Sequence, residues 1–229
     1  LGGACTVGLF DMQTGKRYDA LSLSLLTFGR MGLNSDAMTP QHYSRHLFGF
    51  DLDVRVTDTK RTISFSGYAG LEPFKAELSM EMFPNHESLV MAVPFADADE
   101  QHFYFNQKVN CMAVTGTVTA GDLTVEFDPS DSFCVLDWGR GVWPHSNCWY
   151  WGNGSAYVEN RLFGFELTWG FGIEDYATET AIFYDGKCHK LDRIRFEIPE
   201  DIMQPWKYIS SDGRFDMDFK PLYDNRTNL

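Results

Sequence analysis

Apolar and polar residues alternate with a period of two from one end of the chain to the other. In FDLDVRV, every second residue from Phe50 to Val56 is apolar, and the residues between them are charged. This period matches a β-strand with one buried face and does not match a helix. The next residues, TDTK and then ISFSGY, add a turn and a second alternating run, which predicts a β-hairpin.

The same pattern predicts three further hairpins. Their turns are expected at Gly121-Asp122, at the ENR sequence of residues 159–161, and at the DGK sequence of residues 185–187. FYFNQKVNCM also alternates, with Phe103, Phe105 and Val109 on one side. After the last turn, Ile194, Phe196 and Ile198 are expected to point inward.

Helix signals are rare. Only TPQHYSRH, residues 39–46, has them, with Thr39 as the cap and Pro40 at the first helical position. We therefore expect little helix and an all-β fold, an antiparallel barrel or sandwich, because chains of successive strands hide their edges by closing or stacking.

The domain organisation is expected to consist of two packed β-domains or of one continuous unit. The polar DPSD sequence is the best boundary, which gives an N-terminal domain of residues 1–128 and a C-terminal domain of residues 129–229. The first residue is not methionine, and the last five residues, NRTNL, do not complete a predicted strand or helix. Both domains are therefore expected to be incomplete.

Charge and cysteine usage restrict the partners. The formal net charge is −13, so the average surface repels nucleic-acid phosphates and anionic lipids. No window approaches the ~18 apolar residues of a membrane-spanning helix. The five cysteines lack CxxC spacing, which favours reduced thiols and a cytoplasmic compartment. No pattern in the sequence indicates the oligomeric state.

Motifs for metals, nucleotides and cofactors are weak or missing from the sequence. His42 and His46 have the spacing of metal ligands on one helix face, but no third ligand is near them, so no metal site is predicted. There is no GxSxG nucleophile motif, phosphate loop or GxGxxG. No cofactor is therefore predicted.

The most distinctive stretch is DWGRGVWPHSNCWYWG, residues 137–152, which contains four of the six tryptophans. Trp149 and Trp151 are two residues apart and would share one face of a strand, and Trp169 in the following strand could join them. Trp138 and Trp143 would close one mouth of such a pocket. The face is predicted either to be filled by protein or to line an apolar cavity.

Asp137 has two alternative roles. Its apolar neighbours would desolvate the carboxyl group and suit it to act as an acid, with His145 taking up the proton. Arg140 lies three residues further on, between Gly139 and Gly141. The favoured alternative is that Arg140 pairs with Asp137 and clasps a glycine-hinged turn.

The residues VLDWGRGVWPHSNCWYWGNGSA, followed by LFGFELTWGFG, ATETAIFYDGKCHKL and PLYDN, carry a resemblance. They resemble an uncharacterised conserved family of unknown function. That family is similar in fold to lipocalin-like, calycin-type proteins, which include carotenoid hydratases, tocopherol cyclases and hydroxyneurosporene-synthase-like proteins. The resemblance implies a lipocalin-like barrel or sandwich with an apolar pocket, and it implies no reaction.

Three functions remain as hypotheses. The first is binding of a lipid, an isoprenoid or another apolar small molecule in a pocket formed by Trp138, Arg140, Trp143, Trp149, Trp151 and Trp169. The second is an isoprenoid hydratase or cyclase that uses Asp137 as general acid, so the sequence leaves open whether the protein is an enzyme. The third is a structural or interaction protein with a filled core.

Overall fold

A computed structural model describes residues 2–27, 32–96 and 102–226. These residues form antiparallel strands and no helix. The strands are β1 (Gly3–Phe10), β2 (Arg17–Ser24), β3 (Gln41–Leu47), β4 (Phe50–Val56), β5 (Lys60–Ala69), β6 (Glu72–Glu81), β7 (Leu89–Pro94), β8 (Phe103–Ala120), β9 (Leu123–Phe127), β10 (Phe133–Val142), β11 (Tyr150–Val158), β12 (Arg161–Trp169), β13 (Ala181–Tyr184), β14 (Lys187–Lys190), β15 (Ile194–Glu197), β16 (Trp206–Ser210) and β17 (Asp216–Phe219). The predicted all-β class with little helix is confirmed.

The chain forms two compact units that interleave in sequence. The first comprises residues 1–84 and 112–134, and the second comprises residues 85–111 and 135–229. Strand β8 contributes its residues 112–120 to the first unit and its residues 103–111 to the second. The predicted division of the chain into domains of residues 1–128 and 129–229 stays a prediction.

In the first unit, strands β3, β4, β5, β6 and β8 pair in that order, β9 pairs with β8, and the β1–β2 hairpin forms a separate two-stranded sheet. The core has Phe65 at its centre, 1% exposed, with Phe50 and Phe74 in edge-on contact at ring-centroid distances of 5.0 and 5.3 Å. Apolar residues at every second position of β4, β5 and β6 supply this core, as the alternation predicted.

In the second unit, β7 and β10 pair with β8, strands β11 to β14 form a four-stranded sheet, and β15 to β17 form a three-stranded sheet. One face of β12 packs into a core that includes Leu167, Ile194 and Phe196. The inward orientation predicted for Ile194 and Phe196 is confirmed, since they are 2% and 4% exposed. Within the described ranges, none of the sheets closes into a barrel.

The predicted hairpins are confirmed at β4–β5, β8–β9, β11–β12 and β13–β14. The turns of β8–β9, β11–β12 and β13–β14 contain residues that tolerate a positive φ: Gly121 at 57°, Asn160 at 61° and Gly186 at 78°. Local turn chemistry was therefore sufficient to locate these connections.

The helix predicted from Thr39 is wrong. Residues Gln41–Leu47 form strand β3, which pairs with β4 over its whole length. The residues that resembled a helix start form a turn instead. In this turn the Asp36 carboxylate accepts hydrogen bonds from the backbone N–H groups of Met38 and Thr39. Cross-strand pairing outweighs the weak helical preference of this segment.

Candidate functional sites

The first half of the tryptophan-rich stretch is part of strand β10 and not a glycine-hinged turn. Its glycines permit a close approach to β8. A Cβ atom on Gly139 would lie 2.3 Å from the Tyr104 ring, and one on Gly141 would lie 2.1 Å from the Phe103 carbonyl oxygen. Only glycine fits at such distances, so these residues let the Tyr104 side chain lie against β10.

Asp137 is paired with a lysine and not with Arg140. Its Oδ2 lies 3.0 Å from Lys108 Nζ, and Tyr104 donates its hydroxyl to Oδ1 at 3.2 Å. The clasp predicted with Arg140 is wrong because residues three apart on a strand point to opposite faces. The Arg140 guanidinium instead lies over the rings of Phe105 and Trp138, 5.2 and 5.9 Å from their centroids.

Lys108 is the centre of a buried polar cluster in the second unit. Its side chain is 2% exposed, and its Nζ lies 3.6 Å from the Glu179 carboxylate as well as close to Asp137. The same ammonium group lies 4.5 Å from the centroid of the Trp151 ring, a cation–π contact. We call Asn106, Lys108, Asn110, Asp137, Glu166 and Glu179 the polar cluster.

Both glutamates of the polar cluster are buried and hydrogen-bonded. Glu166, 0% exposed, accepts from Trp151 Nε1 at 2.9 Å and from Asn110 Nδ2 at 3.2 Å. Glu179, 4% exposed, accepts from Thr168 Oγ1 at 3.1 Å and from the Asn106 amide. Buried carboxyl groups need such donors, since an unpaired one would cost several kcal/mol.

Burial controls protonation in the polar cluster. It raises the pKa of Glu166 to about 7, against the opposing effects of Lys108 and of the donors Trp151 and Asn110. Burial also raises the pKa of Glu179. The pKa of the Tyr104 phenol is raised by burial and by the nearby Asp137 and Glu179 carboxylates, so Tyr104 remains a donor. The cluster therefore contains an acid, Glu166, that exchanges its proton near neutral pH.

A group of aromatic side chains is connected to Asp137 through Tyr104, which donates a hydrogen bond to it. The Phe171 ring contacts the Tyr104 ring at 5.0 Å and the Trp149 ring at 5.1 Å, and Trp143 lies 5.3 Å from Tyr104. The indoles of Trp143, Trp149 and Trp151 are 48%, 47% and 43% exposed. We call Trp143, Trp149, Trp151 and Phe171 the aromatic surface.

Trp169 does not join the aromatic surface. Strand register pairs Trp169 with Tyr150 and Trp151 with Thr168, so Trp169 and Trp151 point to opposite faces. Trp169 stacks on Tyr150 with a centroid distance of 5.3 Å. The prediction that Trp149, Trp151 and Trp169 share one face is therefore wrong for Trp169, which lies one residue away from the position opposite Trp151.

The remaining predicted site residues lie away from Asp137. His145 is exposed in the segment between β10 and β11 and makes none of the cluster's hydrogen bonds. Trp138 lies on the opposite face of β10 from Asp137, edge-on to Phe105 at 6.0 Å. The structure thus connects Asp137 to Trp143 and Trp149 through Tyr104 and Phe171, and to Trp151 through Lys108. The other predicted site residues, Trp138, Arg140, His145 and Trp169, are not part of this group.

Sequence reasoning missed Lys108, Glu166 and Glu179. In FYFNQKVNCM the polar residues Asn106, Lys108 and Asn110 also recur with a period of two, which by itself is typical of a solvent-exposed face. The structure buries both faces of β8 in this region. The available signal for a buried polar face was Lys108, which has an asparagine two residues away on either side, at Asn106 and Asn110.

The first unit contains a second candidate site, an apolar cavity of about 320 Å³. It lies between the β1–β2 hairpin and the inner face of the larger sheet. The lining residues are Thr6, Val7, Gly8, Leu9, Leu52, Val54, Ile63, Phe74, Ala76, Leu78, Val118 and Phe127. Among these side chains, only that of Thr6 carries a polar atom. No tryptophan contributes to the lining.

Neither site resembles a metal centre. His42 and His46 lie on strand β3 and face Asp53 and Asp51, at 2.5 and 3.2 Å. Within residues 2–27, 32–96 and 102–226, no group of three or more histidine, cysteine, aspartate or glutamate side chains is placed to hold a metal ion. The same residues contain no helix long and apolar enough to cross a bilayer.

Comparison with known families agrees with the predicted membership of an uncharacterised conserved family. Residues 2–229 match the family described as Domain of unknown function (DUF2804). The chain belongs to this family. No curated protein and no solved structure matches the chain. The family carries no assigned activity, so function has to be argued from the two sites.

Proposed function

We propose that this DUF2804 protein binds a hydrophobic small molecule in the apolar cavity of the first unit. The cavity carries the proposal: its volume, about 320 Å³, lies within the range of small-molecule sites, and ten of the eleven side chains that line it have no polar atom. Ordered water needs two to four polar partners, which these walls do not offer. An apolar ligand is the occupant that such walls stabilise.

The binding function predicted from the sequence is kept, and its location changes. Leu52, Ile63 and Leu78 take the place of the predicted tryptophans as the ligand's contacts. These aliphatic side chains suit a flexible chain or a small terpenoid better than a flat aromatic molecule. Burying each methylene group contributes about 0.8 kcal/mol, so affinity should rise with chain length until the cavity is full.

The enzymatic alternative at Asp137 has less support. An acid that protonates a double bond must present its proton to that bond, whereas the two oxygens of Asp137 are engaged by Lys108 at 3.0 Å and by the Tyr104 hydroxyl at 3.2 Å. Glu166 exchanges a proton near neutrality but is 0% exposed and cannot touch a substrate. We therefore assign the polar cluster to positioning the aromatic surface and not to acid catalysis.

The proposal is tested by native mass spectrometry of freshly purified protein and of two variants. Ala76→Phe fills the cavity with a ring, whereas Ala156→Phe places the same ring on the exposed side of β11. We expect wild type and Ala156→Phe to retain or take up an apolar molecule from a panel of fatty alcohols and terpenes, and Ala76→Phe to take up none. Equal uptake by Ala76→Phe, or no uptake by wild type, would contradict the proposal.

A further inference from the structure

A buried arginine lies on the same sheet face as the apolar cavity, one row of residues beyond those that line it. On the inner face of the larger sheet, Ile63 is paired with Val54 and Leu78, and all three line the cavity. Arg61 lies two residues along the same strand and therefore on the same face, paired with Val56 and Met80. Two residues of strand span roughly 7 Å, so the arginine forms the row next to the cavity wall.

Arg61 has no carboxylate partner in the part of the chain that the structure describes. The residue is 7% exposed, and one Nη atom donates to the Ala37 carbonyl and contacts Met38 Sδ. Its Nε is buried without a hydrogen-bond partner. Among the residues that the structure describes, no carboxylate lies within salt-bridge distance of it, whereas Arg55 on the neighbouring strand pairs with Asp53 at 2.9 Å.

A guanidinium in this state destabilises the folded protein. A buried charge needs an opposite charge and a full set of hydrogen bonds, and a buried N–H without an acceptor loses the bond it had with water. At a position whose neighbours are Val56 and Met80, a methionine or leucine would fill the same space without that cost. The arginine is therefore better explained by a ligand than by the fold.

We propose that Arg61 binds the carboxylate group of an amphipathic ligand whose aliphatic chain occupies the apolar cavity. This inference rests on the proposed function and narrows its ligand to medium-chain carboxylic acids. The guanidinium presents N–H donors in a planar fork that matches a carboxylate, and the unpartnered Nε supplies one of them. A small movement of the Arg61 side chain from Ala37 toward the row of Ile63 brings this donor to the end of the cavity.

The test compares decanoate with decanol, two probes with the same chain length and different head groups. Binding of each is measured by isothermal titration calorimetry at neutral pH to the full chain and to Arg61→Met. In wild type, decanoate is expected to bind about tenfold tighter than decanol or more, because the hydrogen bonds are charge-assisted. In Arg61→Met the difference should vanish, with decanol affinity unchanged.

Two further variants control the result. Arg55→Met removes an exposed arginine from the outer side of the neighbouring strand and should keep the preference for decanoate. Arg61→Lys keeps the positive charge but lacks the planar pair of N–H donors, so it should keep part of the preference for decanoate. Thermal unfolding verifies that each variant folds, and ligand-free Arg61→Met is expected to melt above wild type.

The outcomes separate the two proposals. If wild type binds decanoate and decanol equally, or if Arg61→Met keeps the preference, the assignment of Arg61 is overturned and the proposed function stands. If wild type binds neither probe, both are overturned. A preference for decanoate that is lost in Arg61→Met and kept in Arg55→Met supports both proposals.

Discussion

Lys108, whose side chain is 2% exposed, holds the half-exposed Asp137 carboxylate at 3.0 Å. The cation lies inside the second unit, and the anion accepts a hydrogen bond from Tyr104, whose ring contacts Trp143 and Phe171 of the aromatic surface. Glu166 and Glu179 are 0% and 4% exposed, so a molecule in solution cannot reach them. Asp137 is the accessible member of the polar cluster, and Lys108 connects it to the buried glutamates.

Removing the Lys108 ammonium should be strongly destabilising. Lys108→Met leaves Asp137 and Glu179 without their cation, and breaking a buried ion pair costs about 3–5 kcal/mol. The free energy of unfolding from urea titration at neutral pH measures this loss. Lys187→Met removes a lysine from an exposed pair with Glu87, 2.8 Å apart, and should cost at most about 1 kcal/mol. Equal effects of the two variants would contradict the central position of Lys108.

Glu166 should make the stability pH-dependent. Burial raises its pKa from 4.5 to about 7, so the folded state binds this proton more tightly than the unfolded chain does. The stabilising effect is full below the unfolded pKa and is lost as pH rises through about 7.

Glu166→Gln keeps a side-chain acceptor for Trp151 and cannot ionise. Relative to wild type, the variant should gain stability between mildly acidic and mildly basic pH, by up to roughly 3 kcal/mol. Urea unfolding across this range measures the gain. A constant difference between the two proteins at all pH values would show that Glu166 does not titrate there.

Gly139 should be intolerant of any side chain. Gly139→Ala would place a methyl group 2.3 Å from the Tyr104 ring, which should cost about 1–3 kcal/mol by overpacking and weaken the hydrogen bond from Tyr104 to Asp137. The matched variant is Gly152→Ala in β11, where the nearest atom, the Tyr208 hydroxyl oxygen, is 3.9 Å away. That variant should be neutral or slightly stabilising. Similar melting temperatures for the two variants would contradict the close approach of β8 and β10.

Alternation and turn chemistry were sufficient to predict much of the fold. The hairpins β4–β5 and β8–β9 depend on residues adjacent in sequence, and a turn such as Gly121-Asp122 fixes their register. Strand β3 was missed because the signal that decides it, pairing of Tyr43 with Val54, comes from another strand.

The sites were less predictable because they depend on which faces are buried. Asp137, Trp149 and Trp151 were selected for their residue types, and they do lie near one another. Lys108 was overlooked because a polar face reads as solvent-exposed unless a second layer covers it. The apolar cavity depends on where the β1–β2 hairpin packs, and no local pattern in the sequence specifies that position.

The central claim is that an apolar ligand occupies the cavity of the first unit. The most direct measurement is a methyl-resolved NMR experiment that detects nuclear Overhauser contacts between bound decanol and assigned side chains. We predict contacts to the methyl groups of Val54, Ile63 and Leu78, which line the cavity. Contacts confined to the indole protons of Trp149 and Trp151, or no contacts at saturating decanol, would contradict the claim.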